Sequence, residues 1–213
     1  MRLFLASQDF GNYIKELHEL VGDNKKMLVV INARDAKPWK WSGSKDEKYY
    51  TDSGFETTEL DLRKYFGKPE ELRKYIDEFR PGQIYVLGGN SFLLMRAMAQ
   101  SGLDKIIKSD IEKDKYVYSG HSAGSCVAGP DIRRQAIHGW DDKDLVLDGY
   151  QKKVVWECLG LVDFRVVPHY DLARKHDVTR ELADILEKYG LKYLTLNDSD
   201  VYIVNGDKKE VLR

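Results

Sequence analysis

The stretch Lys115-Tyr-Val-Tyr-Ser-Gly-His-Ser-Ala-Gly-Ser-Cys126 decides how the rest of the chain is read. Tyr116, Val117 and Tyr118 are aromatic or β-branched and predict a short buried strand. Gly120-His121-Ser122-Ala123-Gly124 follows at once and fits the G-x-S-x-G pattern of a nucleophile elbow. A strand that turns abruptly into a helix strains the residue at the turn, and only small neighbours let the two backbones approach. The serine hydroxyl then stands at the carboxyl end of the sheet, beside unpaired helix N–H groups that can hold a developing oxyanion. The plain alternative is a strand–helix turn in which Ser122 merely caps the helix.

Upstream of the elbow, strand and helix alternate. Residues 3–5 read as a first strand, and residues 27–31 form a continuous apolar run typical of a parallel strand covered on both faces. Residues 55–60 alternate as a third strand, and residues 84–87 are a fourth. Helices are predicted over 13–20, from 45 towards 54, over Pro69–Phe79 with proline in the first turn, over 92–101 closed by Gly102, and over 103–108. This order predicts an α/β fold, a doubly wound and mostly parallel sheet with helices on both faces. Ligands bind such sheets at the carboxyl ends of the strands. The elbow and Gly88-Gly89-Asn90-Ser91 both fall there.

Downstream, residues 131–150 read as a long polar loop, and the run 160–167 leads into Pro168-His169-Tyr170, so another strand end delivers a histidine. An amphipathic helix over 177–189, late strands over 191–196 and 201–204, and a hairpin turn at Asn205-Gly206-Asp207 complete the pattern. Trp39 and Trp41, in the loop after the second strand, are read as packing over the sheet edge rather than lining a pocket. No repeat or linker divides the chain, and residues 1–213 are expected to form a single domain.

The charges nearly cancel, 34 Lys and Arg against 35 Asp and Glu, which speaks against a nucleic-acid surface. With 42% hydrophobic residues the chain can build a sizeable core. No apolar run approaches the ~18 residues of a membrane-spanning helix, and the opening apolar stretch is too short for a signal peptide. Cys126 and Cys158 make neither a disulfide framework nor a metal-ligand spacing, so a reducing, cytoplasmic location is expected. No metal or other cofactor is expected, because serine chemistry requires none.

Three strand ends thus supply a serine, a paired-glycine loop and a histidine. A serine hydroxyl becomes a nucleophile when a base within reach takes its proton, and an acid must hold that base in the right tautomer. Ser122 and His169 fill the first two roles. Asp141 and Asp142, lying between them in sequence, are the candidate acids. The N–H groups of Gly89 and Ala123 would form the oxyanion hole, and Asn90 and His121 are candidates for substrate contact. Singly, each has a plain reading as a capped turn, an edge histidine or a solvated loop charge. Jointly, on one sheet edge, the catalytic reading prevails.

On these residues the chain resembles the peptidase E group of serine peptidases, the aspartyl dipeptidases, with the cyanophycinases as more distant members. The resemblance covers nearly the whole chain. It rests on Leu87-Gly-Gly-Asn-Ser-Phe92, Gly120-His-Ser-Ala-Gly124, Gly129-Pro-Asp-Ile-Arg133, Leu159-Gly-Leu-Val-Asp-Phe164 and Pro168-His169-Tyr170. It implies a fold similar to class I glutamine amidotransferases, Ser122 as nucleophile, His169 as base, and hydrolysis of dipeptides with an N-terminal aspartate. It also implies that Arg180, within Thr179-Arg180-Glu181, reads that aspartate, since guanidinium pairs bidentately with carboxylate. The chain departs from the family where the better-known members carry an acid soon after the elbow. Gln135-Ala136-Ile137-His138 stands there, so Glu157 and Asp171 join Asp141 and Asp142 as candidate orienters.

The expected partner is a small peptide, with neither nucleic acid nor membrane, for a monomer or homodimer. Two rivals are an α/β-hydrolase-like esterase, whose histidine would follow the last strand, and a catalytically inactive amidotransferase-like binding module. Cyanophycinase-type activity is a third, for which the chain is short.

Overall fold

Side chains alternate along β1 (Arg2–Ala6) and β2 (Lys26–Val30), and this alternation divides the interior into two halves. Leu3, Leu5, Leu28 and Val30 enter one apolar cluster, whereas Phe4, Ala6, Met27 and Val29 enter the other. A period of two puts these sets on opposite faces of one sheet. The computed structural model of the chain describes every residue except 138, 174 and 175, together with the side chain of residue 176.

The second face is covered by α1 (Ile14–Val21) and α2 (Lys45–Asp52) through Leu17, Leu20, Val21 and Tyr50. The first is covered by α3 (Pro69–Phe79), α4 (Ser91–Ser101) and α5 (Leu103–Glu112). Between these helices run β3 (Glu56–Leu60), β4 (Gln83–Val86) and β5 (Val117–His121). The elbow helix α6 (Ala123–Cys126) comes next. It is followed by β6 (Arg165–Val167), α7 (His176–Lys188), β7 (Tyr193–Thr195), β8 (Val201–Asn205) and β9 (Lys208–Leu212).

Seven strands form one sheet in the order β3-β2-β4-β5-β1-β8-β9. The five-strand run from β3 to β1 is parallel throughout, and β8 and β9 add antiparallel at its end. The fold is therefore the doubly wound, mostly parallel α/β arrangement expected, with an antiparallel hairpin on one edge. β6 and β7 form a separate parallel pair in which Val167 lies opposite Thr195.

One strand is shorter than its apolar run suggests. Residues 160–164 do not extend β6, because the N–H groups of Gly160 and Leu161 are spent on the carbonyls of Gly129 and Ala128 behind the elbow. The tryptophans divide. Trp41 packs in the core as expected, only 2% exposed and stacked on Tyr50, whereas Trp39 lines the cleft at the strand ends. Cys126 and Cys158 are both buried and form no disulfide. Among the described residues, no helix is long and apolar enough to cross a membrane.

Candidate active site

The elbow has the geometry its residues call for. Ser122 sits between β5 and α6 at φ 49° and ψ −114°, a region that residues bearing a Cβ rarely enter. Gly124 must be small, since a Cβ there would lie 2.1 Å from the carbonyl oxygen of Val86. The Ser122 hydroxyl makes no capping bond to α6, so the plain capping reading does not hold. Its Oγ lies 2.9 Å from Nε2 of His169 instead.

His169 stands two residues beyond β6, also at positive φ (60°), and is almost wholly buried. Its Nδ1 lies 2.6 Å from Oδ1 of Asp198, three residues beyond β7. The pairing of β6 with β7 brings these ends together. Leu196 N–H donates to the Val167 carbonyl at 3.0 Å, and Tyr170 N–H donates to the Leu196 carbonyl at 3.1 Å. Ser7, just past β1, ties the two residues together: its Oγ accepts from the His169 N–H at 2.7 Å and donates to Asp198 Oδ1 at 3.0 Å. A carboxylate on Nδ1 keeps the proton there and leaves the Nε2 lone pair facing the serine.

The carboxylate against His169 is thus Asp198, where the sequence pointed to Asp141 or Asp142. Asp141 is drawn elsewhere: its Oδ2 accepts from Ser91 N–H at 2.7 Å in the first turn of α4, where unpaired donors and the helix dipole favour an anion. Asp142 accepts from the Asp144 N–H at 2.9 Å, and its carbonyl takes a bond from Asn90 Nδ2 at 3.0 Å. Both still line the cleft. Glu157 is ion-paired with Arg133 on the surface. Asp171 receives the Asp198 N–H at 2.9 Å, so it supports the acid and does not touch the imidazole. Residue 138 lies outside the described residues. Sequence reasoning missed Asp198 and Ser7. The available signal was the acidic turn Asn197-Asp198-Ser199-Asp200 between two late strands, and its meaning depends on the β6–β7 pairing.

Ala123 follows Ser122 in the chain, and Gly89 lines the same cleft. Among the described residues, no acceptor takes the N–H of either. Gly89 must also be glycine, because a Cβ there would lie 2.3 Å from the Ala33 carbonyl oxygen. Asn90 caps α4, its Oδ1 accepting from Leu93 N–H at 2.8 Å. His121 is buried, with both ring nitrogens engaged by protein groups: Nδ1 is 3.0 Å from Tyr85 Oη, and Nε2 accepts from Gly88 N–H at 3.1 Å. Burial pushes its imidazole down to about 4. It stands neutral at the wall of the cleft that also holds Ser122 and His169.

The cleft over Ser122 and His169 has a volume of about 770 Å³. Arg34, Lys37 and Trp39 reach it from the loop after β2, and Trp140, Asp141 and Asp142 from the loop after the elbow. The cleft is therefore lined by side chains of both charges. Arg180 is exposed on α7 with its guanidinium 4.4 Å from the centre of the Tyr170 ring, and it is not among the cleft-lining residues. Among the described residues, no cluster of three or more His, Cys, Asp or Glu could hold a metal ion.

Comparison with known proteins adds a family. A model of peptidase family S51 matches residues 3–212. A protein of Pasteurella multocida, described as an uncharacterized peptidase, is 28% identical over 173 residues, covering 79% of this chain and 77% of its own length. A Drosophila melanogaster protein named "Probable alpha-aspartyl dipeptidase" is 30% identical over 135 residues, covering 61% of this chain and 52% of its own. A solved peptidase E-type structure from Listeria monocytogenes superimposes with a TM-score of 0.77 at 23% identity, over 100% of this chain and 98% of that one, a likeness of fold.

Proposed function

Because this chain belongs to peptidase family S51, we propose that it hydrolyses small peptides at Ser122, with dipeptides bearing an N-terminal aspartate as its preferred substrates. The observation that carries this reading is the line of Ser122 Oγ, His169 and Asp198 at 2.9 and 2.6 Å. His169 Nε2 takes the hydroxyl proton as Ser122 attacks the peptide carbonyl. The N–H groups of Gly89 and Ala123 meet the oxygen as it gains charge, where preorganised donors are worth most. His169 then returns the proton to the departing amine, leaving an acyl-serine, and water repeats the cycle to release the acid. The Asp198 carboxylate stabilises the imidazolium as it forms.

The aspartate preference draws on the name of the Drosophila relative and on the motif resemblance. Arg180 is the residue that the resemblance assigns to the substrate carboxylate. Lys37, exposed at the cleft, is its rival. The carboxylates of Asp141 and Asp142 suit a free α-ammonium, which favours an exopeptidase over an enzyme acting within longer chains.

Release of free aspartate from a panel of Asp-X dipeptides tests the reading, beside Glu-X, Ala-X and N-blocked controls and with Ser122→Ala in parallel. Turnover confined to Asp-X and lost in the variant is the expected result. Arg180→Ala and Lys37→Ala then assign the specificity, since the reader of the aspartate raises KM about tenfold or more when removed. Cleavage of simple esters but of no dipeptide would move the protein to the esterases. Failure of a fluorophosphonate to label Ser122 would leave a binding module.

A further inference from the structure

We propose that Arg34 is a positioning residue for the oxyanion hole: by holding the carbonyl of Gly88 it aims the N–H of Gly89 at the oxygen of a substrate attacked by Ser122. The inference rests on the acyl-transfer reading above and concerns how the loop opposite the serine is held.

Gly88 C=O and Gly89 N–H belong to one peptide unit. That unit is trans, so its carbonyl and its N–H point in opposite directions. Arg34 Nε donates to the Gly88 carbonyl at 3.0 Å. Holding the oxygen on one side fixes the N–H on the other. The Gly88 N–H is held as well, by Nε2 of the neutral His121 at 3.1 Å, so the glycine is pinned at both ends. The other amides of the loop are spent: Asn90 N–H on the Ala33 carbonyl at 2.8 Å, and Ser91 N–H on Asp141 at 2.7 Å. The Gly89 N–H alone in this run is left for a ligand. Gly88 packs so tightly on the nucleophile that an added Cβ would lie 2.8 Å from Ser122 Cβ, which places this peptide unit beside the reacting serine.

The guanidinium is itself well held. Its Nη1 pairs with Asp46 in the first turn of α2, and its plane lies over the Trp39 ring, 4.9 Å from the centre. Arg34 ends the short turn Asn32–Arg34 directly after β2, and β2 neighbours β4, so the sheet order delivers it to the loop that follows β4. A cation on a carbonyl oxygen also polarises the peptide and strengthens its N–H as a donor. Arg34 thus acts through Gly89, whereas an arginine that merely read the substrate would act on binding.

These two roles separate in kinetics. Arg34→Met and Arg34→Lys are compared with wild type for kcat and KM on the best Asp-X dipeptide. A peptide aldehyde, whose tetrahedral adduct places an oxygen in the hole, and the rate of fluorophosphonate labelling complete the comparison, with thermal melts as a control. For Arg34→Met the expected result is a fall in kcat of about 30- to 100-fold. KM should stay within about twofold, and aldehyde affinity should weaken in step with kcat. Arg34→Lys should regain most of the loss, because an ammonium can still donate to Gly88. If the methionine variant does not fold, Asp46→Asn, which loosens the guanidinium, should show the same split at smaller size. A raised KM with kcat retained would overturn the proposal, as would equal loss in the methionine and lysine variants. A wild-type enzyme labelled at Ser122 beside an Arg34→Met variant labelled at the same rate would sink the Arg34 role alone. A wild type that is never labelled would sink the acyl-transfer reading and this proposal with it.

Discussion

Replacing Asp198 by asparagine would keep its shape but remove the charge that holds the Nδ1 proton of His169. The imidazole could then turn a protonated Nε2 towards Ser122, where no base would remain. Asp198→Asn should lower kcat by about 10³- to 10⁴-fold. Asp141→Asn should leave kcat nearly unchanged and cost about 1 kcal/mol of stability at the start of α4. Steady-state kinetics beside denaturant titration separates the two, and equal kcat losses would return Asp141 to the chemistry. His121 gives a second test. Its imidazole is held near 4, below the ordinary 6.5, chiefly by burial, with Asp9, Arg34, His169 and Asp198 as the charged or titratable neighbours and Tyr85 on Nδ1. The folded state therefore binds fewer protons than the unfolded state between these values. The contribution is fully present above about pH 6.5 and is lost as pH falls towards 4, of order 3 kcal/mol in all. Denaturation curves at pH 7, 5.5 and 4.5 should show a steeper acid loss for wild type than for His121→Gln. Parallel losses would refute it.

At the scale of elements, legibility followed locality. The alternation of strands and helices, the elbow and the Gly88-Gly89 loop are written in adjacent residues, where periods of 2 and 3.6 are visible. The partner of His169 is not, because it depends on β6 pairing in parallel with β7 across a helix. Asp141 misled for a related reason: its pull towards α4 is set by a helix start fifty residues away. The loop of residues 131–150 carries no period at all, yet its later part is anchored. Arg96, wholly buried in α4, donates to the carbonyls of Lys143, Leu145, Lys152 and Lys153 at 2.7, 3.1, 3.4 and 3.3 Å. Charge-assisted bonds of this kind are each worth about 1.5–3 kcal/mol, and their loss takes a donor from four loop carbonyls at once. Arg96→Met should therefore destabilise the protein by about 2–4 kcal/mol. It should also open residues 141–153 to protease and raise KM, because the Trp140–Asp142 wall of the cleft loosens. Limited proteolysis read by mass spectrometry tests this, and unchanged cleavage in that loop would count against the anchoring role.

At the scale of the molecule, β1 is the hinge of the assembly, paired with β5 on one side and β8 on the other. Val201 and Ile203 enter one half of the core, and Tyr202 and Val204 the other, so β8 serves both faces at once. Ending the chain at residue 199 should abolish the cooperative fold rather than loosen one edge. Hydrogen exchange at residues 2–6 and 117–121 would show it, and retained protection there would refute it. The same placement orders events during synthesis. Ser122 and His169 leave the ribosome before Asp198, and β1 waits for a strand made later still. A nascent chain then carries a serine and an imidazole with no carboxylate to align them, in a sheet whose first strand lacks one neighbour. Alignment of Ser122, His169 and Asp198 is therefore expected only once residues 201–205 are free to pair with β1.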